Sequence, residues 1–167
     1  MKPRKPQICY WDSSVFIAFL NGEAGSENIE QLLDEAEAGE LHIVTSSFTL
    51  VEVIKMKGRL PILVAEQKKI TAFFEKDYFL FVDATREITE AARELIWKVP
   101  KLWPKDSVHL ASAMFFGAAE RLDAIHSYDD DFLSLNGKLP ITCPICRPMP
   151  SQPLLVHVPP KRRKRGD

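Results

Sequence analysis

The sequence predicts an α/β fold: a mainly parallel central sheet covered by helices on both faces, in three layers. Two observations lead there. Short apolar stretches rich in β-branched and aromatic residues alternate with longer stretches of helical periodicity. Two acids, Asp12 and Asp129, stand at the carboxyl ends of predicted strands, where sheets of this kind hold their ligands. Right-handed crossovers between the strands follow from strand twist.

The elements read in order as follows. QICYWD is a short buried strand, and Asp12 with the two serines after it suits the start of a helix through SVFIAFL. In ENIEQLLDEAEAG, Ile29, Leu32, Leu33 and Ala36 share one helical face, and Gly39 is the stop. LHIVTS is the second strand. A helix is expected from there through Glu52 to about Gly58, and a further one opening at Pro61 through ILVAEQKKITAFFEK. YFLFVDA is a strand by its aromatic and β-branched content. TREITEAARELIWKV presents Ile88, Ala91, Ala92, Leu95 and Ile96 on one helical face, and Pro100 ends it. Pro104 starts the next helix at a common first-turn position. DAIHSY is the fourth strand. The prolines of LPITCPICRP restrict it to a short edge strand.

The 167 residues fit one domain with a core of useful size, and 27% charged residues is ordinary for a globular protein. No apolar stretch approaches the roughly 20 residues that span a bilayer, so no membrane contact is expected and the protein is read as cytoplasmic. The basic start MKPRKPQICYWD meets an acid too soon for a secretory signal. The net charge of −1 hides an asymmetry: Lys161, Arg162, Arg163, Lys164 and Arg165 form a basic run, and the chain before it is acidic. Residues 1–148 are read as the folded domain. Residues 149–167 are read as a proline-rich and basic tail, disordered when free and suited to nucleic-acid phosphates.

Four acids carry the chemical signal. Asp12, Glu52, Asp106 and Asp129 each interrupt or open an apolar stretch. Each has an ordinary explanation alone. Asp12 caps a helix, Thr49 and Glu52 match a capping box, Asp106 suits a helix dipole, and Asp129 starts a turn or caps a short helix. Brought together and partly buried, they would repel one another unless a cation lay between them. Hard divalent ions, magnesium or manganese, take oxygen ligands of this kind.

In order and context, the four segments resemble the PIN-domain family of nucleases, especially VapC-like toxins of toxin–antitoxin pairs. The segments are DSSVFIA at 12–18, TSSFTLVEV at 45–53, DSVHLASA at 106–113 and SYDDDF at 127–132. The terminal ITCPICRP resembles the family's last strand, and the likeness spans roughly residues 7–148. Ser127 stands where the family often has threonine, and either supplies a hydroxyl. The resemblance implies a PIN-like sheet and a metal-dependent ribonuclease. Asp12, Glu52, Asp106 and Asp129 would be its catalytic metal ligands, for Mg2+ or Mn2+, with Asp131 a fifth candidate. It implies hydrolysis leaving a 5′-phosphate and a 3′-hydroxyl, a homodimer and an antitoxin protein as partner.

Ser13 and Ser127 are candidates to hydrogen-bond the ligating carboxylates. His109, one turn from Asp106, is read as packed or exposed rather than catalytic. Cys143 and Cys146 supply half a zinc knuckle but read more simply as strand residues. Trp97 and Trp103 read as packing, with base stacking the alternative. Two other functions stay open: a non-catalytic RNA-binding or complex-assembly PIN domain, and a nuclease directed at DNA.

Overall fold

In the computed structural model of the chain, the described residues are 5–56, 58 and 60–150. The central sheet has five strands, all parallel. They are β1 (Gln7–Trp11), β2 (Leu41–Ser46), β3 (Phe79–Val82), β4 (Ala124–His126) and β5 (Ile145–Cys146), in the order β3-β2-β1-β4-β5. The chain winds outward from β1 through β2 to β3, then crosses back to lay β4 on the other side of β1. The order therefore reverses between β1 and β4, and a crevice opens at their carboxyl ends.

Alternation along β1 divides the core. Cys9 and Trp11 face one layer with Ile43 and Phe79, packed by α1 (Ser13–Asn21), α2 (Ser26–Glu37) and α4 (Val64–Phe74). An aromatic group of Phe16, Phe73, Phe74 and Phe79 fills that side, with ring centroids 5.2–6.2 Å apart. Tyr10, Val44 and Ile125 face the opposite layer, closed by α6 (Pro104–Ala119) and α7 (Asp130–Leu133). On α5 (Arg86–Lys98), Ile88 and Ala92 pack against Ala111 of α6. Ala91, expected on the same apolar face, is exposed.

Two helices differ from expectation. The helix expected through Glu52 to Gly58 is one turn, α3 (Thr49–Glu52). Val53 leaves helical geometry at φ −91° and ψ 69° and buries its side chain in the aromatic layer. β-branched Val51, Val53 and Ile54 have little helical preference to resist that pull. The helix expected from Pro61 begins at Val64. Glu66 reaches back to accept from the Leu63 N–H at 3.2 Å, which fixes the first turn there. Within this segment Ile70 is buried and Phe73 packs on the core, whereas Leu63 is exposed.

His126 is buried beside Trp11, and its Nδ1 has no hydrogen-bond partner among the described residues. Burial pushes its pKa down to about 4. The unfolded chain therefore takes up this proton near pH 6.5 while the folded chain resists until about 4. This residue's contribution to stability is present above the unfolded value and is lost as pH falls through that window, by on the order of 3 kcal/mol. Urea unfolding at pH 7 and pH 4.5 should show a smaller pH-dependent loss in His126→Gln than in the wild type. Equal losses would contradict the assignment.

Candidate active site

The crevice between β1 and β4 is built around Asp12. Its backbone N–H donates to the His126 carbonyl at 3.2 Å, continuing the β1–β4 pairing one residue past the strand. Its side chain caps α1: Oδ1 accepts from the backbone N–H groups of Ser14 at 3.0 Å and Val15 at 3.4 Å, and from the Ser14 hydroxyl at 2.5 Å. Oδ2 accepts from the Ser127 hydroxyl at 2.6 Å. The two serines link onward, Ser14 Oγ accepting from the Tyr128 N–H at 2.8 Å and Ser127 Oγ from the Asp129 N–H at 3.0 Å. Asp12 is only 3% exposed, and burial raises its pKa against the lowering effects of His109, Ser127 and Ser14.

Asp129 follows β4 and caps α7 through Oδ1, which accepts from the N–H groups of Asp131 and Phe132. Asp106 lies in the first turn of α6 and is 5% exposed. Burial raises its pKa, and the charges of Asp129 and Asp12 push the same way while Lys105 opposes them. The Lys105 ammonium lies 3.5 Å from Asp106 Oδ1 and 3.9 Å from Asp129 Oδ2. Partial burial works against its charge, but Asp106, Glu52 and Asp129 together raise its pKa.

Glu52 does not form the capping box that its spacing from Thr49 suggests. The Thr49 hydroxyl pairs with that of Thr45 at 2.6 Å, and α3 has no side-chain cap. Glu52 Oε2 instead accepts from His109 Nε2 at 2.6 Å, and the Tyr10 hydroxyl meets His109 Nδ1 at 2.9 Å. Burial pushes the Glu52 carboxyl up. Hydrogen bonds from His109 and Ser13, with the charges of His109 and Lys105, outweigh it and hold the group below its ordinary value. His109 is 1% exposed, so it is packed, and it also joins β1 and α3 through polar contacts. Sequence reasoning passed over this role and that of Lys105. The available signal for His109 was its place on the Asp106 face of the helix, one turn on.

At the carboxyl end of the sheet Asp106, Asp129 and Glu52, from three separate segments, thus act on one ammonium, and Asp12 acts on Asp106 beside them. Among the described residues, no three acidic, histidine or cysteine side chains close on one point at metal-ligand distance. The donor set nonetheless suits a hard divalent cation. It consists of carboxylates, and Lys105 already occupies the position of a cation between two of them. Asp131 is exposed and borders the site beside Asp106. Asp130 is exposed and pairs with Arg147 at 3.0 Å. Lys161 to Arg165 lie outside the described residues.

The sequence matches the family model of the PIN domain over residues 9–138. The chain belongs to the PIN domain family. A search of curated proteins finds no match. Among solved structures, this PIN chain is similar to Mycobacterium tuberculosis VapC20, described as a Sarcin-Ricin loop cleaving toxin. The two are 19% identical with a TM-score of 0.60, covering 75% of this chain and 93% of that one. A toxin–antitoxin complex from Klebsiella pneumoniae gives 21% identity and a TM-score of 0.54, over 85% of this chain and 98% of that one. VapBC2 from Rickettsia felis, bound to a DNA fragment from its promoter, gives 17% and 0.56, over 83% and 97%. These likenesses agree with the five-stranded parallel sheet, and the PIN match puts the chain in a family of nucleases.

The raised carboxyl pKa values of Asp12 and Asp106 carry a sign. The folded chain holds these protons more tightly than the unfolded chain, so ionisation costs stability above the folded pKa. Without added metal, Asp106→Asn should therefore melt higher than the wild type at pH 7, and this gain should vanish as pH falls below the ordinary aspartate value of about 4. Thermal melts in EDTA at both pH values check this. A variant that melts lower at pH 7 would mean that the Lys105 contact outweighs the repulsion.

Proposed function

We propose that this protein is a metal-dependent endoribonuclease that hydrolyses phosphodiester bonds in RNA, and the toxin of a type II toxin–antitoxin pair. The observation that carries the reading is the grouping of Asp106, Asp129 and Glu52 about Lys105, with Asp12 acting on Asp106, at the strand-order reversal of a PIN sheet. In this reading those four side chains, with Asp131 beside them, hold Mg2+ or Mn2+. Such an ion, when bound, supplies Lewis-acid polarisation of the scissile phosphate and an activated water.

The chain's own residues set the conditions. Ser127 and Ser14 fix the Asp12 carboxylate, leaving little freedom to rotate. His109 and Ser13 keep Glu52 ionised and aimed into the crevice. Lys105 offsets acid repulsion, and its flexible stem would let it give way to a divalent cation or pair with a phosphate. A cytoplasmic location is part of the same proposal. No helix among the described residues is long and apolar enough to cross a membrane.

The solved complexes of similar fold support an antitoxin protein as partner. A homodimer is part of the same proposal, with exposed Leu63, just before α4, and Val64, its first residue, as a contact candidate. Light scattering at micromolar concentration should give twice the monomer mass, and a strict monomer removes the dimer. The basic run Lys161 to Arg165 is proposed as an arm for RNA phosphates.

One observation favours a second reading. Lys105 sits among the acids, and no three of them close on one point, as expected of a PIN domain that binds RNA or assembles complexes without cleaving. RNA incubated with the protein and Mg2+ or Mn2+, followed by mapping of the ends, separates the two. The nuclease reading expects 5′-phosphate and 3′-hydroxyl ends and no cleavage in EDTA. Asp12→Asn and Asp106→Asn should lose more than the roughly 10–100-fold that removal of an outer hydrogen-bond partner costs. Cleavage that continues at the wild-type rate in EDTA would sink the mechanism.

A further inference from the structure

A cavity of about 450 Å³ runs from the acidic crevice between the α5–α6 loop and α7. Its wall carries Asp106 and Asp131, and also Lys98, Lys101 and Lys138. Lysines on a surface are usually solvated, and Lys98 is paired with Glu94 at 3.2 Å. Lys101 and Lys138 differ, since neither joins any ion pair found among the described residues. Lys101 is also the one non-glycine among the described residues with positive φ, at 68°. Left-handed backbone is costly for a lysine, and glycine or asparagine would stand there without strain. The backbone of Lys101 thus favours a residue other than lysine, and strain of this kind collects where a side chain has work to do.

We infer that this cavity is a phosphate-binding subsite for single-stranded RNA, in which Lys101 and Lys138 hold the backbone phosphates next to the one at the acidic crevice. The inference rests on the nuclease reading for its substrate, and deepens it. The physical need is plain. A polyanion approaching Asp12, Glu52, Asp106, Asp129 and Asp131 meets repulsion at its target. Unpaired positive charge has to lie within about a Debye length, roughly 8 Å, to offset it. Asp106 and Asp131 share the wall of this cavity with Lys101 and Lys138, so a strand drawn toward the acids along it meets unpaired positive charge.

The test uses the full chain and a fluorescently labelled single-stranded oligoribonucleotide, with anisotropy read in EDTA from 50 to 400 mM salt. The variant is Lys101→Gly with Lys138→Gln; glycine suits the backbone at 101, so melting temperature should hold or rise. Each lost phosphate contact removes about 0.7 from the slope of log affinity against log salt. The double variant should therefore lose about 1.4 in slope, which is about 25-fold in affinity at 0.1 M salt. Lys68→Gln with Lys69→Gln, the same charge change on α4, should keep the wild-type slope. Arginine at both 101 and 138 should restore binding.

Should the Gly variant melt low, Lys101→Asn, also at ease at that φ, replaces it. Equal slopes for wild type and double variant overturn the subsite, as does an equal loss in the α4 control or no RNA binding at all. Metal-dependent cleavage by the wild type is measured separately. If cleavage is present but the slopes are equal, only the subsite falls. If cleavage is absent but the slope difference stands, the nuclease reading falls and an RNA-binding groove remains.

Discussion

The Asp12 carboxylate is the constraint around which the rest of the crevice is organised. One oxygen ends helix α1 by taking its orphan N–H groups, and the other takes the Ser127 hydroxyl from beyond β4. One side chain thus ties the central strand, the first helix and the turn that carries Asp129. Ser14 and Ser127 extend the tie to the backbone of Tyr128 and Asp129. Because the hydroxyls already serve the carboxylate, the orientation of Asp12 is settled by folding and needs no ligand. A buried charge with this many donors is tolerable where a bare one would not be.

The remaining acids are offset in two ways. Glu52 is held by a buried imidazole that Tyr10 in turn holds, a polar chain running from the central strand through α6 to α3. Asp106 and Asp129 share a half-exposed ammonium. The first arrangement is rigid and the second adjustable, since lysine carries its charge on a flexible stem. The crevice therefore combines two fixed carboxylates with two whose counter-charge can be exchanged.

Most of the fold was legible in the sequence, because alternation and helical periodicity report burial directly. Ile29, Leu32, Leu33 and Ala36 share the face that the structure buries, and the prolines around Ile145 mark a margin strand. The helix after β2 was not legible. Its length was decided by the burial of Val53 in a distant aromatic layer, which local pattern does not contain. The acids stood out by their apolar surroundings, but their partners did not. Glu52 fits a capping box on spacing alone, and only the fold brings His109, 57 residues away, within reach. Lys105 was hidden for a similar reason. A lysine beside an aspartate in a helix start looks like surface charge until the strand ends bring Asp129 against it.

The two margins of the sheet are unlike each other. β5 is two residues long and lies between Pro144 and Pro148, neither of which has an N–H to offer. β3 is twice as long, with Leu80 and Phe81 partly exposed along it. Strand-by-strand growth of one copy onto another uses backbone donors at both margins, and at β5 they are few: the Ile145 N–H is already given to Asn136 Oδ1 at 2.9 Å. A strand added from outside is thus disfavoured at the β5 margin by its shortness and its prolines, and the β3 margin is the one where such pairing would have backbone to use.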